Sequence, residues 1–363
     1  MKHAVIKYLT GIDQIKEISP DKKEALRHIG KKFNFRSNSY YQNLIDWSDE
    51  KDPIKRLIIP DTQELDEWGN LDASEENKYM AVPGLQHKYS DTVLLLVTNL
   101  CAASCRYCFR KRLFMDLNKE IVQDLPEVVN YIQSHAEISS VLLSGGDPFM
   151  LSTTKLNRII TSLRKIEHVS TIRISTKMPA FNPFRIINDN RLLNILKKHS
   201  LPQKRIYVMV HFDHPRELTE TAINCISKLQ EAGIVVIDQT PIIHGINDDP
   251  DILAGLFRRL TSAGVMPYYI YQCRPTLGNK DYSVPVLKAY DIFCQAKSRS
   301  FGLARTARFV MSHSTGKIEV IGVSKKHVFM RYHRSVNNGN KFGVIILQKN
   351  PEAYWYDDFT QLS

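Results

Sequence analysis

Between Thr92 and Ser312 the chain alternates two rhythms. Seven short runs are almost wholly apolar or β-branched: TVLLLVT (92–98), SSVLLSG (139–145), TIRIST (171–176), RIYVMVHF (205–212), GIVVIDQT (233–240), PYYIYQC (267–273) and ARFVMS (307–312). Between them, apolar residues recur at helical spacing, as in TTKLNRIITSLRKI (153–166) and PDILAGLFRRLTSAG (250–264). An apolar run without alternation predicts a strand covered on both faces. Strands of that kind separated by amphipathic helices predict a parallel sheet wrapped by helices, an α/β fold. Six or seven such units predict a partial (β/α)6 barrel, whose functional groups gather at the C-terminal ends of the strands. Residues 1–85 read instead as a polar, helical lead-in punctuated by Pro53, Pro60 and Pro83-Gly84. The barrel is expected over 86–322, and residues 323–363 form a short, β-rich tail.

Composition narrows the class without naming a function. In 363 residues the apolar share is 43% and the charged share 24%, an ordinary globular balance. No run approaches the roughly 18 uninterrupted apolar residues of a membrane span. The opening MKHAVIKYLTGIDQ lacks an apolar core followed by a cleavage site, so a cytoplasmic protein with no membrane partner is expected. The net charge of +11 comes from Lys and Arg scattered along the chain, not from an arm or tail. It reads as a solvated surface able to attract small anions, and nucleic acid is not an expected partner. Six cysteines are too few for a disulfide framework, yet three of them fall within eight residues. Such clustering points to metal or redox chemistry.

Those three are Cys101, Cys105 and Cys108, and they directly follow the first strand. Three thiolates at spacings of four and three can hold three irons of a [4Fe–4S] cube and leave the fourth open to a small molecule. A structural zinc site would want a fourth Cys or His at typical spacing, and Cys225, Cys273 and Cys294 stand alone.

CxxxCxxC with an aromatic residue before its last cysteine, here Tyr107, resembles the signature of radical S-adenosylmethionine (SAM) enzymes. The second strand ends in Leu143-Ser144-Gly145-Gly146-Asp147-Pro148, similar to that family's GGDP/GGEP element. The resemblance implies a radical SAM barrel in which SAM chelates the open iron. One electron, from a donor such as a flavodoxin or ferredoxin, then yields a 5′-deoxyadenosyl radical that abstracts hydrogen from a substrate. It implies SAM contacts by Tyr107, by Gly145, Gly146 and Asp147, by Arg173 and Ser175 after the third strand, and by His211 at the end of the fourth.

Further stretches resemble lysine 2,3-aminomutase and its relatives, from about residue 40 to about 322. AVPGLQHKYSDTVLLLVTNLC, LLSGGDP, VHFDHPREL, HGIND and PYYIYQC recur in collinear order. That family moves an amino group between neighbouring carbons on pyridoxal 5′-phosphate (PLP). By resemblance Lys317, in SHSTGKIEV, carries PLP, and Lys88, Tyr89 and Gln239 lie beside it, with Lys88 where an arginine is expected. Arg110, two residues past Cys108, matches the arginine that grips the substrate carboxylate.

Two departures bear on the substrate, a small-molecule amino acid. The aspartates that receive the distal ammonium of lysine are replaced here by Arg274 and Val310. A guanidinium repels an ammonium, so lysine is not expected, and Arg274 suits a distal carboxylate such as that of glutamate. The cysteine-bearing C-terminal extension of some lysine enzymes is missing from the tail, so the oligomeric state is left open. Two rivals remain: a radical SAM enzyme without PLP, and a non-catalytic cluster module that contacts nucleic acid.

Overall fold

The computed structural model describes residues 6–115, 120–336 and 343–362. The first five residues, part of the opening on which the cytoplasmic expectation rests, lie outside the described residues, as do 337–342 of the tail.

The lead-in is less helical than its composition suggests. It carries β1 (Tyr8–Leu9), α1 (Pro20–Lys32), β2 (Ser37–Asn38), α2 (Ser39–Gln42) and α3 (Pro53–Ile58), with β1 and β2 paired antiparallel. Asp52 caps α3 by accepting from the Lys55 amide, and Pro53 sits where a helix needs no amide donor. The buried residues Ile54, Leu57 and Ile58 then join the main core.

From Met80 onward the strands form one sheet. They are β3 (Met80–Val82), β4 (Leu85–Tyr89), β5 (Thr92–Thr98), β6 (Ser140–Gly145), β7 (Thr171–Thr176), β8 (Ile206–Val210), β9 (Val235–Ile242), β10 (Met266–Gln272), β11 (Arg308–His313), β12 (Gly316–Val323), β13 (His327–Ser335) and β14 (Ile345–Gln348). Their spatial order is their chain order. Strands β5 to β11 pair in parallel, while β3–β4–β5 and β11–β12–β13–β14 pair antiparallel. The expected barrel strands are therefore present, with a seventh parallel strand in β11. The boundaries expected near residues 85 and 322 fall inside the β3–β4 hairpin and β12, so lead-in and tail continue the barrel sheet at its two ends.

The helices between the parallel strands are α4 (Leu125–Ser134), α5 (Thr153–Arg164), α6 (Met178–Phe181), α7 (Phe184–Ile187), α8 (Asn190–His199), α9 (Glu220–Glu231), α10 (Pro250–Ser262) and α11 (Val286–Ser298). Four of the six long ones start where the sequence supplies a cap: Ser152, Asp189, Thr219 and Asp249 accept from amides of α5, α8, α9 and α10. Each buries a single stripe, as with Leu156, Ile160 and Leu163 of α5 or Ala222, Cys225, Ile226 and Leu229 of α9. Among the described residues no helix is long and apolar enough to cross a membrane.

Candidate active site

The cysteine loop leaves the end of β5 and is held by groups outside itself. The Ser104 amide donates to the Arg36 carbonyl at 2.8 Å, and the Arg106 amide to that of Leu57 at 2.9 Å. Asn279 donates to the Tyr107 carbonyl at 2.7 Å. The Arg106 guanidinium, fully buried between two of the cysteines in sequence, pairs with Glu64 at 2.7 Å and donates to the carbonyls of Phe33 and Asn34. Lys111 approaches the same carboxylate at 3.6 Å. Two of the four basic residues around the cluster motif are thus clamped by one lead-in acid. Removing one member of a buried ion pair costs about 3–5 kcal/mol. Glu64→Gln is therefore expected to destabilise the protein by an amount in that range, read as a lowered urea midpoint.

Cys101, Cys105 and Cys108 line one cavity of about 910 Å³ including its mouth, with Gly145, Gly146 and Ser175 on the facing walls. The glycines are required by close backbone approach. Gly145 has φ +112°, and a Cβ there would lie 2.4 Å from the Thr98 carbonyl; one on Gly146 would lie 2.4 Å from that of Leu100. The amides of Gly146 and Asp147 donate to those same carbonyls, at 2.7 and 2.8 Å. The GGD element therefore clamps the strand end that carries the first cysteine. The Asp147 carboxylate faces inward, accepting from Thr176 Oγ1 at 2.8 Å and from the amides of Lys177 and Phe149. Burial pushes its pKa up to about 6.

Three thiols on one wall of an enclosed space fit a cube that takes one iron per thiolate. Among the described residues no group of three or more His, Cys, Asp or Glu closes on a position for a single metal ion.

Behind this cavity lies a buried polar network. The Tyr107 hydroxyl donates to Asp213 at 2.5 Å and lies 3.0 Å from His211 Nε2. Asp213 also meets His211 at 3.0 Å, Lys177 Nζ at 2.7 Å and the Thr240 hydroxyl at 2.6 Å. Lys177 reaches Glu217 at 2.7 Å, and Glu217 accepts from the Tyr41 hydroxyl at 2.6 Å. Burial opposes ionisation of Asp213, but Lys177 and His211 override it and hold the carboxyl well below its usual range. Tyr107 and His211 were expected here. Asp213 and Glu217 were not singled out, although both stand in the VHFDHPREL stretch that carries part of the resemblance.

A second cavity, about 1420 Å³ with its mouth, adjoins the first; Tyr107, Phe109, Arg110, Ser144, Ser175 and His211 line both. Lys317, Lys88, Tyr89, Gln239, Arg110 and Arg274 all line it. Arg173, expected beside SAM, is placed in this second cavity and not in the cysteine cavity. Its Nε is buried and has no hydrogen-bond partner among the described residues. Lys317 Nζ donates to the Tyr271 hydroxyl at 2.8 Å and lies 4.7 Å over the Tyr269 ring. Burial, then Arg274 and Arg173, lower its pKa to about 7. Lys88 donates to the His313 carbonyl at 2.7 Å, and burial followed by Arg274 brings it to about 7 as well. Gln239 bridges Ser175 at 3.5 Å and Tyr271 at 3.4 Å.

Arg110 and Arg274 flank the Phe109 ring, at 4.7 and 3.7 Å from its centroid, one residue past the last cysteine. Arg274 also contacts Ser74. Arg110 is forked on Glu76 at 2.7 Å, with Nη1 donating to Ser144 at 2.8 Å; Arg112 shares Glu76 at 2.7 Å. Burial works against the Glu76 carboxylate, yet Arg110 and the other arginines keep it far below the usual range. Four arginines (Arg110, Arg173, Arg274, Arg334) and two lysines (Lys88, Lys317) line this cavity, and among the described residues its one lining carboxylate is Glu76. Glu76, Tyr269, Tyr271 and Arg334 were missed by sequence reasoning. Arg334 had no signal, because the tail carries no motif.

A family model for the radical SAM superfamily matches residues 95–254. The chain is 47% identical to the putative L-lysine 2,3-aminomutase of Aquifex aeolicus over 98% of this chain and 96% of that protein. It is 33% identical to the L-lysine 2,3-aminomutase of Fusobacterium nucleatum, over 94% of this chain and 79% of that one. The glutamate 2,3-aminomutase of Clostridioides difficile is 32% identical over 82% of this chain and 70% of its own length. Radical SAM enzymes carry a [4Fe–4S] cluster and SAM, and the lysine aminomutases add PLP. With cysteine loop, GGD clamp and a cationic second cavity in one series, the chain belongs to the lysine 2,3-aminomutase family of radical SAM enzymes, which are isomerases.

Proposed function

We propose that this protein is a PLP-dependent 2,3-aminomutase acting on an amino acid with an acidic side chain, glutamate being the first candidate. The excess of cations over carboxylates in the second cavity carries the reading. Unlike charges in a poorly solvated site attract strongly, and like charges confined there must find counter-ions. A phosphate and a dicarboxylate supply those counter-ions; the ammonium of lysine adds to the excess.

When bound, the cluster and SAM supply a carbon radical that takes hydrogen from the substrate, and PLP supplies the π system across which nitrogen moves. The chain's residues do the rest. Cys101, Cys105 and Cys108 hold the cluster, beside the wall of Gly145, Gly146 and Ser175. Arg110 takes the α-carboxylate, with Glu76 orienting its fork. Arg274, stacked on the same Phe109 ring, takes the distal carboxylate, and the buried, apolar Val310 offers no acid for an ammonium. Lys317 offers a neutral amine near pH 7, which attacks a carbonyl carbon where an ammonium does not. The electron comes from a protein donor such as a flavodoxin or ferredoxin, in the cytoplasm.

Supplied with equimolar glutamate and lysine, the reconstituted enzyme is expected to form the 3-amino product of glutamate in excess. Predominant β-lysine would refute the substrate. Arg274→Gln should lower kcat/KM for glutamate, since truncating a buried charged partner costs about 2–5 kcal/mol, or roughly 30- to 3000-fold at 1.4 kcal/mol per tenfold.

A pH dependence follows from Lys317. Only the neutral amine reacts, so attachment of PLP should speed up with rising pH, pass half-maximum near pH 7, and level off above it. An exposed lysine would keep accelerating toward its ordinary pKa of about 10.4. Initial rates of borohydride-fixed label at Lys317 across that range distinguish the two.

A further inference from the structure

We infer that Arg334, in the C-terminal hairpin, is the guanidinium that binds the phosphate of the cofactor. The inference rests on the PLP reading above and adds to it a residue outside the barrel strands and outside every motif in the sequence. Arg334 on β13 is the cross-strand partner of Lys317 on β12, so the two side chains leave the same face of the sheet. Both line the second cavity. Gly316 makes this pairing close: a Cβ there would lie 2.2 Å from the Arg334 carbonyl.

The guanidinium is pre-positioned. It stacks 4.1 Å from the Tyr89 ring centroid and donates through Nη2 to Thr92 Oγ1 at 2.9 Å, with Asp91 on the same nitrogen. Among the described residues no hydrogen bond uses Nε or Nη1, which leaves an N–H on each side of the occupied Nη2 for an anion. A charge-assisted hydrogen bond from either of these donors to a phosphate oxygen is among the strong ones.

Location separates this anion from those of the substrate. Arg110 and Arg274 flank Phe109, beside the cysteines, where the reacting carbons must lie. Arg334 instead faces Tyr89 at the end of β4 and Thr92 at the start of β5, the opposite end of β5 from Cys101. The phosphate is the unreactive end of PLP and belongs away from the cluster. Arg334 also ties β13 to the β4–β5 turn, and Lys88 ties β4 to the end of β11, so the proposed phosphate site lies where the two ends of the sheet are joined.

The test compares PLP with pyridoxal, which has the same aldehyde and no phosphate. Apparent Kd is read from borohydride-fixed mass at Lys317 in wild type, Arg334→Gln and Arg334→Lys, with circular dichroism of each as the folding control. Arg334→Gln is expected to weaken PLP roughly 10- to 100-fold and to leave pyridoxal within about twofold. Arg334→Lys, which keeps a charge but not the fixed planar set of donors, should fall between. Equal weakening of both aldehydes, or no weakening of PLP, overturns the assignment. Wild type that labels Lys317 with neither aldehyde removes the PLP reading itself, and this inference with it.

Discussion

A Cys105→Ala variant prepared anaerobically is expected to release no 5′-deoxyadenosine above background from SAM and dithionite, whereas the wild type should release it. The variant keeps its fold, because the loop is anchored by other groups: the Arg106–Glu64 pair, the Asn279 bond to Tyr107, and the backbone bonds to Arg36 and Leu57. What is lost is one of three ligands to a cube that has no protein substitute for it. Losing a hydrogen-bond partner behind a metal ligand costs roughly 10- to 100-fold, so losing a ligand itself should exceed that range. Iron content should fall in parallel. A variant that still cleaves SAM would show that Cys105 does not hold the cluster.

Lys317→Ala is expected to abolish amino migration while leaving SAM cleavage within about twofold of wild type. The separation follows from geometry. Lys317 lines the second cavity and not the cysteine cavity, with its amine on Tyr271 and over Tyr269. The substitution also removes a buried amine whose pKa is already depressed to about 7, so it leaves no unpaired charge behind and should not unfold the chain. If Lys317→Ala still moves the amino group at the wild-type rate, PLP is held elsewhere or not used.

Much of the scaffold could be read from the chain because its signals are local. TVLLLVT is β5, residue for residue, since a strand buried on both faces has to be apolar throughout, and TIRIST is β7, with Ile172 and Ile174 buried and Arg173 and Ser175 lining a cavity. NRLLNILKKH is α8 from end to end, bounded by the capping Asp189 and by Ser200. The lead-in was harder to read. Its β3–β4 hairpin is short and half exposed, so its pattern is weak, and its polar residues looked like surface. Glu64 and Glu76 are in fact buried counter-ions, a status that only their distant partners Arg106 and Arg110 confer.

The site divides in the same way. The cysteines and glycines are tied to one loop and one strand end, so their spacing is legible in the sequence. Arg173 was expected beside SAM from the family resemblance and lines the second cavity, because sequence does not say which of two adjoining cavities a strand residue faces. Arg334 enters through cross-strand pairing with Lys317, a contact that no spacing along the chain encodes.

Reaction of reduced enzyme with SAM, PLP and glutamate deuterated at C3 tests the central claim most directly. Mass spectrometry should find deuterium in the adenosyl 5′-carbon of recovered SAM or 5′-deoxyadenosine, together with the 3-amino product. A 3-amino product formed with no label in the adenosyl group, or adenosyl release with no change to glutamate, would contradict the account.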